Sequence, residues 1–92
     1  MDPNKHPNEM VLYRKRLALS QKRVAAMLGH SDTSMLSRYE SGRSLPPLLT
    51  ALRLEILYRT PVAYLYPRVY KELRDQIRQQ EAPSSGVQAT LL

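Results

Sequence analysis

The polar residues able to do chemistry crowd into one short stretch, SDTSMLSRYESGR, from Ser31 to Arg43. If Leu36 and Tyr39 turn inward on a helix, Asp32, Thr33, Ser34, Met35, Ser37 and Arg38 turn outward together. Hydroxyls and a guanidinium in that arrangement donate and accept hydrogen bonds. A guanidinium can bond two acceptors of guanine at once, and Ser or Thr can bond the edge of either kind of pair. The face is mostly polar and slim enough for a groove about 12 Å wide, the major groove of duplex DNA. Nothing in it breaks a covalent bond. The chain has no Cys, no credible Ser/His/Asp set and no glycine loop that would cradle a phosphate. The chemistry on offer is recognition, and no enzymatic activity is expected.

Composition points the same way. The chain has 92 residues, enough for one small domain, and a net charge of +6 with a pI near 10.0. That charge favours an anionic partner. The absence of Cys excludes disulfides and thiolate metal sites. His6 and His30 are far apart, and the eight acidic residues are scattered among Lys and Arg, so neither a metal nor a cofactor is expected. No run approaches the ~20 apolar residues of a membrane span. The start, MDPNKHPNEM, has no apolar core like that of a secretory signal. The expected location is the cytoplasm, away from the membrane.

Helical spacing supplies the elements that must position the polar face. Residues 1–8, with Pro3 and Pro7, read as a loose arm, and Asn8 can cap a first helix over Glu9–Ala18 with Met10, Tyr13 and Leu17 as its stripe. Ser20 caps a second helix, where Val24, Ala25 and Leu28 face inward and Gly29 provides the stop. Ser31 or Asp32 caps a third, about Thr33–Glu40, ended by Ser41-Gly42. Pro47 opens a fourth that is apolar enough, with Leu48, Leu49, Leu52, Leu54, Ile56 and Leu57, to be the buried helix. A short fifth covers Val62–Tyr66 before Pro67 interrupts it. A sixth, Arg68–Glu81, carries Val69, Leu73 and Ile77 every four residues and the opposite-charge pairs Arg68/Glu72 and Lys71/Asp75. Residues 82–92 are expected to fray. Five tyrosines, Tyr13, Tyr39, Tyr58, Tyr64 and Tyr66, fall on or beside apolar faces and are expected in the core rather than stacked on bases.

Two helices joined by a tight turn containing Gly make a helix-turn-helix. Ala25 is small enough for the helices to approach, and Gly29 supplies the turn. Through Leu19, Ser20, Gln21, Val24, Ala25, Leu28, Gly29, Ser37, Arg38, Tyr39, Glu40, Gly42 and Pro46, the chain resembles the phage-repressor or Xre-type (Cro-like) helix-turn-helix family of bacterial DNA-binding proteins. The likeness runs from about Met10 to Pro67. It implies an all-α, five-helix lambda-repressor-like domain over residues 9–67, with the third helix in the major groove. The sixth helix, residues 68–81, comes from the spacing alone, and its narrow stripe can pack on the domain body or against its copy in a partner chain. One departure stands out: the stretch from Gly29 to Glu40 is one residue longer than the commonest family pattern, which implies a longer turn and leaves the register of Asp32, Thr33 and Ser34 open, whereas Met35 to Glu40 align backward from Glu40.

The resemblance implies that Gln21 bonds a backbone phosphate at the start of the second helix. Arg43 is a second phosphate candidate, with Lys22 and Arg23 as additions. Thr33, Ser34, Ser37 and Arg38 are the expected base contacts, and Thr33 or Met35 can touch a thymine methyl. Each has a plainer alternative. Arg38 can pair with a neighbouring acid, Met35 can cover the core edge, Asp32 can serve only as a cap, and His30 can be only a turn residue. Glu40 is expected to be structural, and Arg14 either pairs with it or meets DNA. The function so implied is a sequence-specific regulator of transcription on double-stranded DNA, a repressor, with homodimerisation as an option. The alternative is an antitoxin or adaptor that meets a protein partner through Val69, Leu73 and Ile77.

Overall fold

Six helices form in the computed structural model, which describes residues 5–81: α1 Met10–Arg16, α2 Gln21–Met27, α3 Ser34–Glu40, α4 Leu48–Tyr58, α5 Val62–Leu65 and α6 Pro67–Glu81. No strand occurs among the described residues, in keeping with the all-α expectation. The expected tail at residues 82–92 lies outside them. Boundaries differ from expectation by one or two residues, each for a local reason. α1 stops at Arg16 because Ala18 turns left-handed, φ 56°. α3 starts at Ser34, and Thr33 sits at its N-cap position. Pro67, expected as a break, is the first residue of α6, where a missing N–H leaves no helical bond unmade.

The ends of α2 and α3 are built alike. Gly29 adopts φ 83°, its N–H donates to the Ala26 carbonyl at 3.0 Å, and the His30 N–H donates to the Ala25 carbonyl at 2.9 Å. Gly42 adopts φ 81°, its N–H donates to the Tyr39 carbonyl at 3.1 Å, and the Arg43 N–H donates to the Arg38 carbonyl at 3.0 Å. Both are Schellman caps, which satisfy the last carbonyls of a helix while the chain turns sharply away. The starts are capped by side chains: Ser20 Oγ accepts from the Arg23 N–H at 3.0 Å, and Asp32 Oδ1 accepts from the Ser34 N–H at 2.9 Å. The Ser34 bond also holds the Asp32 carboxyl below the usual carboxylate range.

Asn8 caps α1 as expected, accepting from the Met10 N–H at 3.0 Å. It does more than that. Its Nδ2 donates to the Tyr39 carbonyl at 2.9 Å, and the His6 N–H donates to the Gly42 carbonyl at 3.0 Å. The part of the expected loose arm that is described is therefore pinned across the end of α3.

The core gathers Met10, Val24, Leu28, Leu36, Tyr39, Leu54, Tyr58, Leu65 and Tyr66 from five helices. Burial pushes the Tyr66 hydroxyl up to about 12. Several expectations need correction. α4 is not the buried helix: only Leu54 and Tyr58 are buried, while Leu48, Leu49, Leu52 and Ile56 face solvent. A domain this small has too few helices to cover every side of one, and α6 packs against α5 instead of over the outer face of α4. Tyr64, expected in the core, is 62% exposed. The α6 stripe is split: Val69 packs on the core, whereas Leu73 and Ile77 are half exposed. Lys71 and Asp75 pair at 2.8 Å, but Arg68 and Glu72 form no ion pair with each other.

A Cβ added at Gly29 would meet nothing within 4 Å, so a substitution there strains the backbone alone. Gly29→Ala is expected to lower the unfolding free energy by about 1–2 kcal/mol, measured by urea denaturation. An unchanged midpoint would contradict the left-handed cap.

Candidate nucleic-acid interface

Val24 on α2 packs in one core cluster with Leu36 and Tyr39 on α3, and Ala25 on α2 is buried as well. With that seam closed, α3 has only one direction left for its other side chains. Ser34, Met35 and Arg38 are exposed, Ser37 is half-buried, and Thr33, just before the helix, is half-buried too. Met35 lies off the core, 40% exposed. Arg38 Nε donates to Ser44 Oγ at a long 3.4 Å. It has no acidic partner among the described residues, so its guanidinium keeps most of its donors for something outside the chain. Lys22 and Arg23 at the start of α2 and Arg43 after α3 are exposed as well. His30 lies in the turn, its ring tilted against Tyr39 at 6.5 Å.

Behind this face lies a polar frame. Arg14 of α1 grips Glu40 of α3 with two bonds, Nε to Oε2 at 2.6 Å and an Nη to Oε1 at 3.3 Å. The other Nη donates to the Leu19 carbonyl at 3.0 Å. The two side chains are 11% and 5% exposed, and the bond to Glu40 raises the Arg14 pKa. Arg14 is thus committed inside the domain, and Glu40 is structural. Gln21 of α2 joins them: its Nε2 donates to Glu40 Oε1 at 2.8 Å, and its Oε1 accepts a long 3.5 Å bond from Ser37 Oγ. One carboxylate therefore sets α1, α2 and α3 against each other.

This frame orients two residues singled out from the sequence, Gln21 and Ser37, and leaves Arg38, Lys22, Arg23 and Arg43 on the surface. The link from Gln21 to Glu40 was not visible in the sequence, because the partners are nineteen residues apart and no spacing rule joins them. The same holds for Asn8 and Tyr39. Chemically, the face offers donors and positive charge around one capped acid, Asp32. Among the described residues no group of three His, Cys, Asp or Glu could hold a metal ion. No helix is long and apolar enough to cross a membrane.

A family model described as helix-turn-helix matches residues 12–65, more than half of the chain. The matched span runs from α1 to the end of α5 and so contains the whole frame and the outward face of α3. No curated protein and no solved structure matches the chain.

Removing one member of a buried ion pair leaves the other without a partner. Glu40→Ala is expected to cost about 3–5 kcal/mol of stability, and Arg14→Met combined with Glu40→Leu to recover most of it. Urea denaturation of the three proteins measures both. A loss for Glu40→Ala below about 1 kcal/mol, the range of surface pairs, would contradict the frame.

Proposed function

From the premise that this chain belongs to the helix-turn-helix family, in its Xre or lambda-repressor-like form, we propose that it is a sequence-specific regulator of transcription that binds double-stranded DNA and acts as a repressor in the cytoplasm. The observation that carries the reading is the outward face of α3: an Arg38 without an acidic partner among small polar residues, flanked by exposed cations. α3 enters the major groove. Arg38 bonds a guanine, Ser34 and Ser37 bond base edges, and Met35 or Thr33 covers a thymine methyl. Lys22, Arg23 and Arg43 meet phosphates, which supply affinity without regard to sequence.

Gln21 has a double task. One hydrogen of its Nε2 is taken by Glu40, and the other is available to a phosphate oxygen. The frame would then hand one phosphate contact a fixed position and so set the register of α3. Occupying the site excludes other proteins, which is repression in its simplest form. No cofactor takes part. As a homodimer the protein would read two half-sites about 34 Å apart.

The test is selection from a random pool of duplex DNA, followed by fluorescence anisotropy on the recovered sequence at two salt concentrations. A defined motif is expected. Arg38→Ala should lose about 1–3 kcal/mol of discrimination at one base pair. Lys22→Ala and Arg43→Ala should weaken binding to all sequences alike and flatten the salt dependence. Binding that recovers no motif and fades with salt would overturn sequence-specific regulation. An Arg38→Ala protein with unchanged preference would overturn the assigned readout.

A further inference from the structure

α4 has apolar residues on every side. Leu54 and Tyr58 point into the core, while outward Leu48 is 72%, Leu49 65%, Leu52 42% and Ile56 75% exposed. At 3.6 residues per turn these four fall within one arc of about 100°. No charged residue lies inside that arc; Arg53 and Glu55 flank it. A helix apolar all round is a helix that is meant to be covered. Leu45, itself half exposed, extends the stripe into the preceding loop. It also lines an apolar groove of about 380 Å³ together with Ala51, Val62, Tyr66, Tyr70 and Leu73.

We propose that this face is where a second copy of the chain packs, α4 against α4 about a two-fold axis, with the groove beside it receiving apolar side chains from the other copy. The inference rests on the reading above only in that such a regulator works as a homodimer. Two observations favour a second copy. The first is area. Leu45, Leu48, Leu49, Leu52, Ile56, Tyr70 and Leu73, at roughly 100 Å² each, offer ~700 Å², close to the ~800 Å² per partner of a standard interface.

The second is charge. In a two-fold interface each residue lies near the patch that carries its own copy. A chain with net charge +6 repels itself over most of its surface. The α4 arc carries no charge, so two copies can meet there without opposing like charges. A strongly acidic or basic partner finds nothing on it to pair with, and one of its ions would be buried without compensation.

Sedimentation equilibrium of the full chain without DNA tests this independently of any operator. The chain is expected to be a dimer at micromolar concentration. Ile56→Lys should sediment as a monomer with its helical circular dichroism intact, because Ile56 is 75% exposed in the single chain. Ile56→Asn, which adds no charge, should raise the dimer dissociation constant by at least ~100-fold, since each dimer loses two buried side chains. A wild-type monomer would overturn the proposal and leave the DNA reading standing. So would dimers that survive Ile56→Lys and Leu49→Lys, or that are dissociated only by Leu73→Lys, which would put the interface on α6. A stable dimer that selects no DNA motif would support this interface while removing the function proposed above.

Discussion

A carboxylate almost excluded from water has to be paired, and Glu40 meets that demand in a way that fixes the front half of the molecule. Its oxygens are taken by Arg14 from α1 and Gln21 from α2. Desolvating such a group is costly unless every lone pair finds a donor, so the three helices have one arrangement that satisfies it and few that come close. The apolar seam of Val24, Leu36 and Tyr39 supplies most of the attraction. The polar frame supplies direction, because hydrogen bonds depend on angle where apolar packing does not.

Direction matters because α3 is only seven residues long. A helix this short cannot hold its own geometry in water. Its orientation is imposed from outside, by the Schellman cap at Gly42, the Asp32 cap at its start, and Asn8 reaching back to the Tyr39 carbonyl. Once both ends and one side are held, Ser34, Met35 and Arg38 have only solvent in front of them. The surface then divides by chemistry. The face of α3 and its flanks is polar and cationic, and the outer face of α4 is apolar and uncharged. These suit different partners, an anionic groove and another apolar surface.

Much of this was legible in the sequence where one residue type has one local use. Gly29 and Gly42 follow helical stripes and take the positive φ that ends them; Ser20 stands where a cap is needed; Leu36 and Tyr39 share a face three apart. Arg14 and Glu40 were legible as a pair only through family resemblance, with contact to DNA the open alternative for Arg14. What escaped were properties set by the number of elements and by long-range contacts. α4 reads as buried because apolar residues occupy all its sides, and nothing local says that no other helix covers Leu48 and Ile56. The engagement of Gln21 by Glu40 joins residues on different helices. The anchoring of His6 and Asn8 depends on the free carbonyls at the end of α3, which exist only once α3 has formed.

The most direct measurement is the map of backbone amide chemical shifts in the full chain as a duplex carrying its selected sequence is titrated in. With α3 as the reading helix, the largest changes fall on Ser34 to Arg38, on Gln21 to Arg23 and on Arg43, while α4 and α6 change little. Changes confined to α4 and α6, with α3 unmoved, would contradict the central claim that α3 presents its outward face to DNA.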